Sequence, residues 1–258
     1  MPQPSLRALA TDLLAVRPRK FFKTTGGFLK SAPETLLVLG RLFFRTLRGH
    51  QEKSLADSVQ ALFEKNRVWI INLDDRLDRK EDYEGRFMQM FGCLPKRFSA
   101  FKRANGHLGC AESHLGILTA AIETDPESAL AVFEDDIEFL GSHADVIEAV
   151  AHFLADERLD VLLFGYNTSA YLPRLKQGLR LVSNSATTSG YIAKPKALEA
   201  LRDTASESIR LLEGGIDPAV GAIDVVWQRL QTELYTLRTF YISTHKKPLH
   251  AFGAVFCV

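Results

Sequence analysis

Hydrophobic and polar positions alternate along the chain in blocks that predict strands and helices in turn. The apolar run VWIINL, residues 68–73, predicts a buried strand, and DRKEDYEGRFMQMFG then carries apolar residues at helical spacing as far as Gly92. A second pair follows, in which KRFSAFKR is predicted as a strand and LGCAESHLGILTAAIE as a helix. This alternation predicts an α/β sheet.

The next block repeats the order of strand and helix. ALAVFEDD is apolar on both faces until its acidic end, as expected for a strand with helices on both sides. ADVIEAVAHFLADE is predicted as a helix and LDVLLFGY as a further strand. The predicted α/β domain therefore spans residues 67–258.

Charge is segregated along the chain. The whole protein has a formal net charge of +1, which argues against a partner recognised mainly through nucleic-acid phosphates. Residues 1–66 nevertheless hold eleven Lys and Arg against five Asp and Glu, so the remainder is acidic. We predict that residues 1–66 form a basic, amphipathic helical extension to the domain.

The apolar positions of this extension do not predict a secretory signal or a membrane span. SLRALATDLLAVRPRK is interrupted by charges, and TLLVLGRLFF is too short to cross a bilayer and contains Arg41. LLVLGRLFFRTLRGH places Arg41, Arg45 and Arg48 at helical spacing. It is predicted either to lie on an anionic membrane surface or to pack on its own domain. These features predict a cytoplasmic protein in peripheral contact with the inner face of the membrane.

The three cysteines, Cys93, Cys110 and Cys257, are odd in number and follow neither a disulfide nor a zinc-site spacing. They indicate a reducing compartment. Cys110 and His114 share one face of a predicted helix with apolar residues, which favours a small core cysteine and a satisfied core histidine.

Three consecutive acids, Glu134, Asp135 and Asp136, end the most apolar predicted strand. Ligands of open α/β sheets bind beyond the carboxyl ends of strands, so these acids stand where a ligand is expected. No Lys or Arg adjoins them in sequence, and three close carboxylates repel one another unless a cation neutralises them. Oxygen ligands favour magnesium, calcium or manganese. The alternative is a solvated loop whose aspartate caps the next helix.

Five ordered blocks resemble glycosyltransferase family 25, which includes bacterial lipopolysaccharide and lipooligosaccharide galactosyltransferases and collagen galactosyltransferases. The blocks are VWIINLDDRLDRK, GHLGCAESHLGIL, AVFEDDIEF, DVLLFGY and TTSGYIAKPKALEAL, between about Arg67 and Asp224. The resemblance implies a GT-A (Rossmann-like) nucleotide-sugar-binding fold that transfers a hexose from a UDP-sugar with inversion.

The resemblance also implies site residues. Glu134, Asp135 and Asp136 match the family's acidic triplet, which would hold manganese or magnesium against the diphosphate; Asp136 is the first choice for direct ligation, and Glu134 and Asp135 would also face the donor. The nucleotide-sugar-binding set is completed by Asn72, Asp74, Arg76, Arg79, His107, Ser113, His114, Thr188, Gly190 and Tyr191.

Two features of this match leave alternatives open. The second block begins GHLGC, with His107 where family members usually have glutamate, so that position need not keep its family role. The general base is expected to be Asp224 or Asp217, and Asp224 fits a helix N-cap equally well.

The function predicted from the sequence is a metal-dependent hexosyltransferase. It would move a hexose, galactose by analogy with the family, from a UDP-hexose to a glycan or glycolipid acceptor in cell-envelope biosynthesis. The alternatives are a metal-dependent phosphoester hydrolase and a non-catalytic binding module that retains the fold.

Overall fold

The computed structural model describes residues 55–165, 179–182, 185–232 and 239–242. Its first elements are α1 (Leu55–Glu64), β1 (Val68–Asn72), α2 (Leu77–Phe91), β2 (Lys96–Ser99), α3 (Gly106–Thr124), β3 (Leu130–Glu134) and α4 (His143–Ala155). They are followed by β4 (Val161–Leu163), β5 (Leu179–Val182), β6 (Gly190–Ala193), α5 (Pro195–Glu213), α6 (Pro218–Gly221), α7 (Ile223–Val226), α8 (Gln228–Thr232) and β7 (Thr239–Ile242).

Local sequence explains where the long helices begin and end. Helix α2 ends at Gly92, whose φ of 67° is in the left-handed region that glycine adopts without a Cβ penalty. Helix α3 begins after Asn105 and α4 after Ser142, and each of these side chains accepts a backbone N–H of the first turn. The predicted alternation of strands and helices is confirmed in this part of the chain.

The predicted second strand is shorter than expected. KRFSAFKR pairs only through Lys96–Ser99, because β2 lies at the edge of the sheet and its one partner there, β1, ends at Asn72 opposite Ser99. Residues 100–103 leave the sheet and form part of a surface loop instead.

Within the described residues the strands form one mixed sheet in the order β2-β1-β3-β6-β4-β7-β5. Strand β1 is parallel to both β2 and β3, and β4 is parallel to β7. Strand β6 is antiparallel to both of its neighbours, β3 and β4. The α/β class predicted from the sequence is confirmed, with parallel β1, β2 and β3 giving the first half its Rossmann-like character.

Strand β3 is buried on both faces, as its apolar sequence predicts. Ala131 and Phe133 belong to a core with residues of α1, α2 and α4, whereas Leu130 and Val132 belong to a second core with residues of α3 and α5. Because side chains alternate along a strand, Glu134 at its end and the following Asp135 are directed toward different helix layers.

Helix α1 comes from the last part of the predicted basic extension. Its Val59 and Leu62 are buried in the core with α2 and α4. Residues 1–54, including the basic segment around Arg41, lie outside the described residues. No helix among the described residues combines the length and apolar character needed to cross a bilayer.

Arg67 joins the ends of two elements beneath the sheet. Its guanidinium donates to the carbonyls of Ala121, Ser128 and Ala129, so it links the last turn of α3 to the start of β3. Burial lowers the pKa of Arg67, yet three carbonyl acceptors surround the charge.

Candidate functional site

The candidate site lies where β1, β2 and β3 end at the same edge of the sheet. Strand β1 ends at Asn72, β2 at Ser99 and β3 at Glu134. Since β1 is parallel to both of the others, all three carboxyl ends open toward the same side, which is where ligands of α/β sheets bind.

Asp135 is held by two predicted site residues. Its carboxylate accepts a hydrogen bond of 2.8 Å from Asn72 Nδ2 and a charge-assisted one of 2.8 Å from Arg79 Nη1 in the first turn of α2. No Lys or Arg adjoins the triplet in sequence, but the fold brings a guanidinium to Asp135. The guanidinium comes from α2, which sequence adjacency does not reveal.

The negative charge of Asp136 is less well compensated than that of Asp135. Its Oδ2 lies 3.9 Å from Arg79 Nη1, and its side chain is 24% exposed. Burial, together with the neighbouring charges of Glu134 and Asp135, raises the pKa of Asp136 to about 6 against the attraction of Arg79. A cation bound beside this carboxylate would therefore stabilise its charged form.

Glu134 faces the opposite helix layer. Its Oε1 accepts a hydrogen bond of 2.7 Å from Thr188 Oγ1 and lies 3.5 Å from His114 Nε2 on α3. His114 Nδ1 is hydrogen-bonded at 3.2 Å to the hydroxyl of Tyr191 on β6, and the two rings stack. The fold thus brings together Glu134, His114, Thr188 and Tyr191 from three separate sequence blocks.

Ser113 has a structural contact beside this group. Its Oγ donates to Gly109 O at 2.7 Å and accepts from Phe101 N at 3.0 Å, which ties α3 to the loop after β2. Gly109 packs so closely on this loop that a Cβ would lie 2.2 Å from Phe101 O.

Gly190 is explained by packing in the sheet. It lies opposite Phe133 in the β3–β6 register, and a Cβ at this position would approach Phe133 Cδ1 to 2.8 Å. The absence of a side chain at this position therefore makes room for an aromatic side chain of the core.

The two candidate bases lie in different environments. Asp217 is exposed and caps α6, accepting from Ala219 N at 2.8 Å. Asp224 lies inside the first turn of α7, whose N-cap is Ala222, so the N-cap alternative for Asp224 is wrong. Burial raises the pKa of Asp224, the charge of Glu134 raises it further, and His107 opposes the shift. Asp224 and His107 therefore belong to the electrostatic neighbourhood of the site.

The remaining residues of the first block form a polar network at the rim. Arg97 donates to Asn72 Oδ1 at 2.9 Å and pairs with Asp74, which also accepts from Ser99 Oγ at 2.7 Å. The guanidinium of Arg76 is separate from this network and forms a surface pair with Asp78 at 2.7 Å.

An open cleft lies at this edge, with about 500 Å³ of empty space that includes open solvent. Its wall combines polar, basic and aromatic side chains, among them Asn72, Arg79, Phe101, Lys102, Arg103 and Asp135. The site residues predicted from the sequence did not include Arg97, Phe101, Lys102 or Arg103. The available signal was the basic and aromatic composition of KRFSAFKR, which continues beyond the edge strand.

A second set of donor atoms could hold a metal ion. Cys110 Sγ, a ring nitrogen of His114 and a carboxylate oxygen of Glu134 all lie within 4.8 Å of one another. His114 is fully buried, Glu134 is almost so, and Cys110 is half-buried beside the cavity. The prediction of Cys110 as a small core residue therefore leaves out the two donor groups beside it.

No protein-family model matches this sequence, and no curated protein matches it. Among solved structures, the chain is similar to a mannose-1-phosphate geranyltransferase from Thermus thermophilus, with 12% identity and a TM-score of 0.38. The alignment covers 75% of this chain and 64% of that one. A likeness this remote does not transfer the function of that protein, so the chemistry must come from the chain's own residues.

Proposed function

We propose that this protein is a metal-dependent glycosyltransferase with a GT-A-type domain. It transfers a hexose, galactose by the family resemblance, from a UDP-sugar to a glycan or glycolipid acceptor in envelope biosynthesis. The observation that carries the proposal is the group formed by Asn72, Arg79, Asp135 and Asp136 at the carboxyl edge of β1 and β3, beside an open cavity.

The acidic residues fit a hard divalent cation. Asp136 carries a charge that Arg79 compensates only from 3.9 Å, and carboxylate oxygens are the donors that manganese and magnesium prefer. Asp136 would ligate the ion, while Asn72 and Arg79 fix the carboxylate of Asp135 beside it. A bound cation supplies charge stabilisation to the diphosphate leaving group.

The cavity wall suits the remainder of a nucleotide. Arg79, Lys102 and Arg103 line it, each paired with a carboxylate: Asp135, Asp75 and Glu112. The exposed pairs of Lys102 and Arg103 could exchange their carboxylates for phosphates. Phe101 is 46% exposed and offers a flat apolar face on which a base can stack. The exposed carboxylate of Asp74 provides a hydrogen-bonding group for a ribose at the rim.

Asp224 is the preferred general base. An inverting transfer requires a carboxylate that removes the proton of the acceptor hydroxyl as the new glycosidic bond forms. Burial raises the pKa of Asp224 above its ordinary value, which makes it a stronger base than an exposed aspartate. Asp217 is exposed and already caps α6, so it is the weaker candidate.

Calorimetric titration of UDP into the full chain tests this function, with manganese or with a chelator. We expect binding only with manganese, and a loss of at least about 10-fold in affinity for Asp136→Ala. Asp203→Ala is the matched control, because Asp203 is an exposed aspartate on α5 that pairs with Arg202.

Two results would contradict the proposal in different ways. Failure of the folded wild type to bind UDP with any divalent metal would exclude a nucleotide-sugar site. Equal manganese-dependent binding by wild type and Asp136→Ala would exclude Asp136 as the metal ligand while leaving nucleotide binding in place.

A further inference from the structure

The imidazole of His114 has a buried nitrogen whose lack of a hydrogen bond within the described part of the chain is not explained by nucleotide binding. The imidazole is fully buried, and its Nδ1 is hydrogen-bonded to Tyr191. Its Nε2 is also buried but forms no hydrogen bond with any described residue, although it lies 3.5 Å from Glu134 Oε1. Buried polar nitrogens nearly always have a partner, so this nitrogen indicates a missing one.

The contact with Tyr191 can fix the tautomer of His114 in which Nε2 carries no proton and is free to bind a metal ion. The hydroxyl oxygen of Tyr191 lies 3.2 Å from Nδ1 and can accept a hydrogen bond from Nδ1–H. In that tautomer, Nε2 directs a lone pair toward the carboxylate of Glu134. Histidines that bind metals use the same division, with one nitrogen on the ion and the other donating to an outer partner.

The distances suit a small tetrahedral ion. Nitrogen and oxygen ligands about 2.0–2.1 Å from a tetrahedral zinc ion are separated by roughly 3.4 Å. His114 Nε2 and Glu134 Oε1 are 3.5 Å apart. Cys110 lies one helical turn before His114 on α3, and its sulfur is within 4.8 Å of the other two donors. Small side-chain movements would bring all three donors onto one ion.

We propose that Cys110, His114 and Glu134 form a binding site for a thiophilic divalent ion of the zinc class. A thiolate, an imidazole and a carboxylate together favour zinc over magnesium or manganese, which prefer all-oxygen sites. Thr188 orients the carboxylate through its 2.7 Å hydrogen bond, as Tyr191 orients the imidazole. Cys110 and Glu134 also line the cavity, so the ion can enter from it.

This site is distinct from the proposed diphosphate cation at Asp136. The two groups use different donors: Glu134 contacts His114 of α3, whereas Asp136 lies 3.9 Å from Arg79 of α2. The inference does not require that the protein bind UDP. Its test therefore uses metal alone, and its failure is separable from failure of the proposed function.

Cobalt(II), a spectroscopic substitute for zinc, is titrated into the metal-free full chain under reducing conditions. We expect one ion per chain, a near-ultraviolet band from thiolate-to-cobalt charge transfer, and intense visible bands of tetrahedral cobalt. Zinc should abolish these bands by displacement, because it binds such sites more tightly than cobalt, whereas magnesium should leave them unchanged.

The variants compare the two cysteines that the structure describes. Cys110→Ser should lose the charge-transfer band and bind cobalt at least about 100-fold more weakly, whereas Cys93→Ser, which alters a cysteine outside the triad, should behave as wild type. Thr188→Ala should retain the band but bind about 10–100-fold more weakly, since it removes an outer partner of a ligand.

Asp136→Ala provides the separation from the proposed function. It should keep the cobalt spectrum while losing manganese-dependent UDP binding. The proposal is overturned if the folded wild type gives no charge-transfer band with cobalt. It is equally overturned if the band survives in Cys110→Ser or disappears in Cys93→Ser.

Discussion

Asp136 shows how a carboxylate proposed to bind a cation can lower the stability of its own fold. Its pKa is raised to about 6 in the folded protein from an ordinary value of 3.8, chiefly because burial disfavours the charged form. The folded state therefore binds a proton more strongly than the unfolded state. The stabilisation due to protonation is complete below about pH 4 and is lost as the pH rises through about 6.

Replacing Asp136 with asparagine should consequently stabilise the metal-free protein at neutral and alkaline pH. We expect the free energy of unfolding to rise by about 1–3 kcal/mol near pH 8, with the gain shrinking toward pH 4.5. Urea denaturation of Asp136→Asn and wild type at both pH values, in the presence of chelator, measures this difference. A gain that is equal at the two pH values would show that the ionisation of Asp136 is not its cause.

At the scale of elements, β3 is the feature around which the site is organised. Its apolar residues pack against both helix layers, and its terminal acids then reach the groups on each side. The position of the acids at the end of a buried strand could be predicted from AVFEDD alone. Their partners could not, because Arg79 and His114 lie on different helices and only the three-dimensional packing assigns each to its acid.

The contact between β3 and β6 gives a stability prediction at the same scale. Gly190→Ala should lower the free energy of unfolding by about 1–3 kcal/mol, because its methyl group would lie 2.8 Å from Phe133 Cδ1 and 3.1 Å from Ile137 Cδ1. Gly85→Ala in α2 is the matched control. It has open space around the new Cβ and should stabilise the helix by up to about 1 kcal/mol.

Chemical denaturation of the two variants decides between packing and a general effect of adding a methyl group. Stability of Gly190→Ala equal to that of wild type would mean that Phe133 moves aside at little cost, and that the glycine is required for another reason.

At the scale of the whole molecule, the segregation of charge along the chain bears on where in the cell the proposed glycosyltransferase would act. The basic segment with Arg41, Arg45 and Arg48 lies outside the described residues, so its predicted contact with lipid remains a proposal from sequence. A glycolipid acceptor would be encountered at a membrane surface, and each basic residue near an anionic surface contributes about 1 kcal/mol of attraction.

Sedimentation with lipid vesicles tests this contact. The full chain should bind vesicles containing phosphatidylserine but not vesicles of phosphatidylcholine, and added salt should weaken the binding. Replacing Arg41, Arg45 and Arg48 with glutamine should reduce the bound fraction several-fold. Unchanged binding by the triple variant would favour the alternative in which this segment packs on its own domain.

The whole molecule also shows why sequence patterns predict the helices and strands better than the contacts of the candidate site. Periodicity reports burial, so it predicts the strands and helices of the first half and the buried β3. It carries no information on which distant side chains meet. Arg97 was missed on the short edge strand β2, and Lys102 and Arg103 were missed in the loop after it, because the end of β2 depends on β1. The proximity of Cys110 and His114 was visible as helical spacing, but the acid that completes their group comes from another element.

The place of β6 in the sheet has a consequence for how the chain folds. This strand lies between β3 and β4, yet it is synthesised after both of them. The middle of the sheet therefore cannot close in the order in which the ribosome delivers it, and a gap must persist until residues 190–193 emerge. Because Tyr191 enters with that strand, the pocket around His114 is completed by the same late insertion that joins β3 to β4.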